Sequence, residues 1–228
     1  MPNHTANNFT ITGPKDDVLR FVAQARGNDV TTGDRTDLDF NKLLPIPKDL
    51  IGTSSPTRII SQEEIDTMWA DWNKRKAEGN LNSFEKERPF GLGITQDKHD
   101  EFILKYGYDN WYDWCIFNWG TKWNAYDVTE WSINEGHWNG DNSSATIYYE
   151  TAWSPATALW LNVSKDYPTL DFYHEFADEG GGFLGSETIR DGRIISEEEF
   201  EWDSDDGIEL REGLGRYWPE DAEDEVEA

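Results

Sequence analysis

The sequence has very little cysteine, few basic side chains and no long apolar run. Cys115 is the only cysteine among 228 residues, so no disulfide can form within the chain, which is typical of proteins from a reducing cytoplasm. No run of about 18 apolar residues is present, which argues against a helical membrane span. The opening segment MPNHTANNFTITG has neither a basic start nor an apolar stretch. We therefore expect no membrane association and a location in the cytoplasm of the host cell.

Basic residues are strongly outnumbered, with 20 Lys and Arg against 46 Asp and Glu and a net charge of −26. The excess is concentrated at the end of the chain, where residues 197–228 hold 15 acids and two bases. Phosphate backbones bind through cationic side chains, and a negative field repels them. The composition therefore argues against direct binding of nucleic acid. It points to a basic protein as partner, or to a surface adapted to high salt.

Hydrophobic periodicity and turn residues divide the chain into strands and helices. The predicted strands cover residues 9–11, 39–47, 123–127, 129–133, 146–153, 170–176, 183–189 and 193–195. The predicted helices cover residues 14–27, 61–79, 95–106, 109–120 and 154–167, with capping residues Ser61, Asp109 and Ser154. Asp191 and Gly192 indicate a hairpin turn. Helices on one face of a mainly antiparallel sheet are the natural packing for this order, which gives an α+β, ferredoxin-like fold.

The segmentation also gives a domain organisation. Residues 80–94 are polar and glycine-rich, so the helix before them is expected to belong to an insertion. We expect a ferredoxin-like domain over residues 1–195, with a helical insertion at about 52–107. Residues 196–228 form an acidic C-terminal extension.

Five segments follow one another in an order that resembles a known family. They are MPNHTANNFTITGP, DFNKLLPIP, YGYDNWYDWCIFNWGTKWNA, ETAWSP and GGGFLG. Together they are similar to a family of uncharacterised phage- and plasmid-encoded proteins with a ferredoxin-like domain. The resemblance implies that fold and an origin in a mobile genetic element. It implies no activity and no catalytic residue.

The segment NWGTKWNAYD, residues 118–127, has two interpretations. Its rings can pack at a corner between a helix and a strand, since large aromatic side chains usually dominate cores. Alternatively, Trp119, Trp123, Tyr126 and Trp153 line a pocket for a small ligand. The first interpretation is favoured, and the second stays open.

The sequence shows no catalytic or metal-binding pattern. The four histidines are far apart, and none is paired at helical spacing with another ligand. His174 and Glu175 point to opposite faces of their predicted strand, and no nucleophile elbow surrounds Ser154. We therefore predict no catalytic residue, no metal and no cofactor, which favours a protein that is not an enzyme.

The acidic extension carries the leading hypothesis. Apolar residues recur among its acids, so the segment can fold back onto a domain and present its carboxylates outward. We expect a binding protein that contacts a basic surface of a host protein and mimics DNA as an antagonist of host defence. The alternatives are an enzyme or ligand binder that uses the Trp-rich pocket, and an accessory protein with a salt-adapted surface. The expected contacts are Glu197, Glu198, Glu199, Glu201, Asp203, Asp205 and Asp206, with Trp202 and Trp218 as anchors.

Overall fold

The computed structural model describes residues 3–28, 33–82, 85, 88–136 and 142–214. The chain divides into two compact units. The first comprises Met1–Asp29, Asp34–Leu44 and Asn118–Ala228, and the second comprises Val30–Gly33 and Pro45–Phe117. The segment predicted as an insertion lies within the second unit.

The chain forms eight strands and seven α-helices within the described residues. The strands are β1 His4–Gly13, β2 Gly27–Asn28, β3 Arg35–Thr36, β4 Ser132–Asn134, β5 Ser143–Ala152, β6 Asp171–Asp178, β7 Leu184–Arg190 and β8 Arg193–Glu199. The helices are α1 Lys15–Ala25, α2 Phe40–Leu43, α3 Gln62–Ala77, α4 Gln96–Tyr106, α5 Trp111–Asn118, α6 Thr157–Val163 and α7 Asp205–Gly213.

The first unit is built on a six-stranded antiparallel sheet in the order β4-β5-β1-β6-β7-β8. β1 lies between β5 and β6 and is antiparallel to both, so that Phe9 is opposite Ile147 on one side and His174 on the other. β5, α6 and β6 therefore form a split β-α-β unit around β1. The predicted α+β class and antiparallel sheet are confirmed.

Aromatic rings fill the layer between the sheet and its helices. The ring of Phe9 stacks on the indole of Trp160 from α6, with centroids 3.9 Å apart. Phe21 from α1 contacts Phe172 edge to face at 5.4 Å, and all four side chains are fully buried. Val18 is also buried, and it lies on the face of α1 that the hydrophobic periodicity predicts to face the core. Offset and edge-on ring pairs add to the hydrophobic gain from burial, so this layer is the core of the unit.

The other face of the same sheet is partly covered by α7. Successive side chains of a strand point to opposite faces, so Ala6 faces away from the layer that contains Phe9. Leu210 and Leu214 pack there against Ala6, Ala177 and Leu184. The acidic extension therefore contributes ordered structure, including a helix that the sequence did not predict.

A strand predicted over residues 39–47 is wrong, because α2 forms there. The Asp39 carboxylate accepts a hydrogen bond from the Asn41 amide at 3.0 Å and caps the helix. Phe40 and Leu43 are both buried, and their spacing of three residues suits a single helical turn.

Residues 123–127 were also predicted as a strand, but only Tyr126 pairs there, in an isolated bridge with Glu150. In the segment that follows, only the three residues of β4 form a regular ladder with β5, and Thr129 adds a single backbone bond to Tyr148. The side chains of Asn124 and Trp131 bond instead to Asp39 and Asp37, in the segment before α2.

Two predicted helix caps are also wrong. The Ser154 hydroxyl donates to the Gly120 carbonyl, so it ties two loops together, and α6 begins three residues later. At the start of α5, the Asn110 side chain accepts a hydrogen bond from the Asp113 amide at 2.9 Å. Asn110, rather than Asp109, is therefore the cap. Both residue types cap helices equally well, so the sequence did not separate them.

The second unit contains the best-predicted helix. Ser61 and Glu64 form the expected capping box of α3. Trp72 is buried and its indole N–H donates to the Glu85 carbonyl at 2.7 Å. The Arg75 guanidinium binds both oxygens of the Glu85 carboxylate, at 2.6 and 2.8 Å. None of the helices in the described ranges is long and apolar enough to cross a membrane.

We predict that Trp160→Ala destabilises the protein by about 3–5 kcal/mol, because it removes a fully buried ring and leaves a cavity. Trp123→Ala is the matched control, since that ring is 40% exposed, and should cost less than about 1 kcal/mol. Chemical denaturation followed by circular dichroism measures both values. Equal losses in the two variants would contradict this account of the core.

We predict that Cys115 resists alkylation in the folded protein. The thiol is buried, and burial raises its pKa well above its usual range, so the reactive thiolate is scarce. Mass spectrometry after treatment with iodoacetamide should find no adduct in buffer and a single adduct in guanidinium chloride. Rapid labelling in buffer, at the rate of free glutathione, would show that the burial is wrong.

Candidate interaction surface

Strand β8 is the edge of the sheet and carries the first acids of the extension. It pairs with β7 alone among the described strands, and each of its seven residues is exposed. Glu197, Glu198 and Glu199 are consecutive, so their carboxylates alternate between the two faces of the sheet. The edge is therefore acidic on both sides.

The chain then turns onto the sheet and enters α7. Phe200 and Trp202 pack, partly buried, against the cluster formed by the helix and the strands. The guanidinium of Arg211 lies over the Trp202 ring at 4.6 Å. The Ser204 hydroxyl accepts a hydrogen bond from the Gly207 amide at 3.1 Å and caps α7. These contacts fix the segment that bears the remaining acids.

Gly207 is required by the tight approach of this turn. A Cβ at that position would lie 2.2 Å from the Glu201 carbonyl oxygen. Asp205 and Asp206 occupy the first turn of α7, where the positive end of the helix dipole favours negative charge. The two carboxylates can therefore occupy the first turn of α7 without a basic side chain that neutralises them.

The acids predicted as partner contacts form one exposed set, which we call the acidic surface. Within the described ranges, no Lys, Arg or His lies within 4.0 Å of their carboxylate oxygens. Trp202 is partly buried and packs against the apolar cluster under α7. Trp218 lies outside the described residues. The acidic surface consists of Glu197, Glu198, Glu199, Glu201, Asp203, Asp205 and Asp206, all exposed.

The four aromatic residues of the alternative pocket are placed in different environments. Trp119 is 1% exposed, and its indole N–H donates to the Leu44 carbonyl at 2.9 Å. The Tyr126 hydroxyl donates to the Thr151 carbonyl at 3.0 Å. A groove of about 270 Å³ on the sheet face that carries α7 is lined by none of the four. The structure therefore places Trp119 in the core and holds Tyr126 against β5.

Trp123 and Trp153 do come together at the surface. Each is 40% exposed, and the Lys122 ammonium lies 4.9 Å from one ring centroid and 4.7 Å from the other. Trp153 has a φ of 75°, a conformation that bulky residues rarely adopt. The arrangement is a cation–π contact between two loops.

A polar network that the sequence did not reveal is buried in the core of the same unit. His174 is fully buried, and its Nδ1 lies 3.0 Å from Oε1 of Glu187 on the next strand. The Thr157 hydroxyl of α6 donates to the same carboxylate oxygen at 2.7 Å. The pair links β6, β7 and α6 in an environment where charge is costly.

Asn7 defines the proton positions in this network. Its amide nitrogen donates to the Thr5 carbonyl at 2.7 Å and to the Thr151 hydroxyl at 3.0 Å, so its oxygen faces Nε2 of His174 at 2.9 Å. That oxygen can only accept, so Nε2 carries a hydrogen. Hydrogen bonds to Asn7 and Thr157 satisfy further polar atoms of the His174–Glu187 pair, which lowers the cost of burying it.

The register of the sheet explains why sequence reasoning missed the pair. His174 and Glu187 are directly opposite each other in the β6–β7 ladder. Alternation along β6 places His174 on the buried face of the sheet. Alternation along β7, counted back from Ile189, places Glu187 on the same face. Which residue of β7 faces His174 depends on the length of the loop between β6 and β7, and the hydrophobic pattern does not specify that register.

Comparison with known proteins gives the family. Residues 95–217 match the family described as the ferredoxin-like domain in Api92-like protein, which is more than half of the chain. The chain belongs to this family. No curated protein matches it. A crystal structure of the protein api92 from Yersinia pseudotuberculosis is similar, with 10% sequence identity, a TM-score of 0.43 and coverage of 88% of this chain and 98% of that one.

We predict that Glu187→Gln lowers the free energy of unfolding by about 1–3 kcal/mol, because an uncharged amide replaces the carboxylate in a buried hydrogen-bonded pair. Glu197→Gln is the matched control, since Glu197 is exposed and directly opposite Glu187 in the β7–β8 ladder. It should change stability by no more than about 0.5 kcal/mol. Urea denaturation measures both, and an equal effect would mean that the network does not stabilise the fold.

Proposed function

We propose that this chain is a non-enzymatic binding protein whose acidic surface contacts a basic surface of a host protein. One observation supports the proposal above all: residues 197–206 carry seven exposed carboxylates on an ordered strand, turn and helix start. A loose tail would present the same charge, but it would lose conformational entropy on binding. Fixed carboxylates avoid much of that loss.

Electrostatics gives such a surface a role in recognition. Like charges that lie close together repel and contribute nothing to folding unless a partner neutralises them. Complementary charge across an interface steers encounter and rejects wrong partners more than it adds affinity. In the proposal, Trp202 acts as an anchor that holds the segment to the sheet while the carboxylates meet Lys and Arg of the partner.

The same chemistry suggests the class of partner. A groove that binds DNA is lined with cations arranged for a row of phosphates. We infer that the acidic surface occupies such a groove and so mimics DNA. In this proposal the protein is encoded by a phage or plasmid, works in the cytoplasm of the host cell and antagonises a defence protein of that cell.

Two other candidates have some support. Exposed acids also lie elsewhere, as at Asp16, Glu78 and Glu130, which favours a salt-adapted accessory protein. The half-exposed pair Trp123 and Trp153 favours a ligand binder. Salt adaptation predicts folding that improves in molar salt and no selective role for the acidic surface.

The test uses two variants that each remove five charges from the native −26. The surface-neutral variant is E197Q/E198Q/E199Q/E201Q/D203N, which leaves the first turn of α7 intact. The control variant is D16N/E63Q/E78Q/D97N/E130Q, five exposed acids outside the acidic surface. Affinity capture from a host lysate compares both with the native chain over a salt series.

We expect the native chain and the control variant to retain the same basic protein at low salt, and the surface-neutral variant to lose it. Raising salt from about 50 to about 500 mM should release it, because screening weakens exposed charge contacts. If the surface-neutral variant retains what the control variant retains, or the native chain retains no basic protein, the proposal is wrong.

A further inference from the structure

The outer edge of β8 is an open strand edge. In an antiparallel ladder, alternate residues direct their N–H and C=O groups toward one neighbour and the others away from it. β7 occupies one side of β8, and no described strand occupies the other. All seven residues of β8 are exposed. Unpaired backbone groups of this kind are a template for another extended chain.

The regular half of this edge is the acidic half. The register is continuous from Gly185 opposite Glu199 to Thr188 opposite Ser196, and it shifts only beyond that point. The ladder is therefore straight where the carboxylates of the edge lie. At the other end, Ile194 and Ile195 are 40% and 58% exposed, so apolar surface is also available.

Charge decides between a second copy of this chain and a basic partner. Pairing two copies of β8 would bring six carboxylates into one short ladder, between molecules that each carry a net charge of −26. Like charges across neighbouring strands are destabilising, and the net charges also repel at a distance. A strand with Lys or Arg is attracted instead. Residues paired across a ladder have Cβ atoms about 4.5–5.5 Å apart, so its cations would lie next to the carboxylates of β8.

We infer that the basic partner binds by adding an extended Lys- and Arg-rich segment to β8, antiparallel to it, as a seventh strand. This inference rests on the proposed function and specifies how the partner is recognised. Basic side chains on one face of the added strand meet Glu197 and Glu199, and those on the other face meet Glu198. Apolar residues follow opposite Ile194 and Ile195. Backbone hydrogen bonds hold the segment in place, and the side chains select it.

The probe is a fluorescein-labelled, amidated peptide, Lys-Arg-Lys-Thr-Val-Val-Thr, which has this pattern in the antiparallel direction. Two further peptides carry N-methyl groups on alternate residues, one on the odd positions and one on the even positions. All three have the same charge, and each methylated peptide lacks the N–H donors of one edge only. Fluorescence anisotropy measures their binding to the native chain, the surface-neutral variant and the control variant.

Strand addition predicts that affinity depends on which alternate residues of the peptide are methylated. One methylated peptide should bind at least about tenfold more weakly than the unmodified peptide, and the other within about twofold, since only one set of N–H groups faces β8. The control variant should reproduce the native result. The surface-neutral variant should bind all three peptides at least about tenfold more weakly.

Two results would overturn the inference, and they differ in what they say about the proposed function. If all three peptides bind the native chain equally and the surface-neutral variant loses them, charge alone recognises the partner, and only strand addition is wrong. If the native chain and the surface-neutral variant bind alike, or neither binds, the acidic surface does not recognise basic segments, and both proposals lose their basis.

Discussion

The structure depends on the position of β1 between β5 and β6. Residues 4–13 pair with residues that lie at least 130 positions further along the chain, and both faces of the sheet follow from that pairing. On one face Phe9 stacks on Trp160, and Asn7 orients the buried pair of His174 and Glu187. On the other face, α7 packs against Ala6. If β1 were shifted by one residue, these two sets of side chains would exchange faces.

Local signals in the sequence predicted most of the helices and the hairpin. The capping box at Ser61 determines the start of α3, and Asp191 and Gly192, with φ of 47° and 72°, form the expected turn between β7 and β8. Such features involve residues within a few positions of each other, and their chemistry is visible in the sequence. The class of the fold followed from their order.

Features that depend on distant pairing were missed. The contact between His174 and Glu187 needs the strand register, and α7 is stabilised by Leu210 against Ala6, nearly the whole chain away. For the acidic surface, the sequence predicted the residues but not their position in the sheet. The acids are visible from composition alone, whereas no local pattern indicates that three of them form the open edge of a sheet. Register and edge position arise from tertiary packing, which propensity does not encode.

Everything proposed for the acidic surface requires the segment from Arg193 to Leu214 to be folded onto the sheet. Amide hydrogen exchange on the native chain tests this directly, because it reports local opening. The amides of α7 around Leu210, and those of β8 that bond to β7, should exchange at least about 100-fold more slowly than an unstructured peptide. Exchange at the unstructured rate across this segment would mean that the acids lie on a loose tail, contrary to the structure described above.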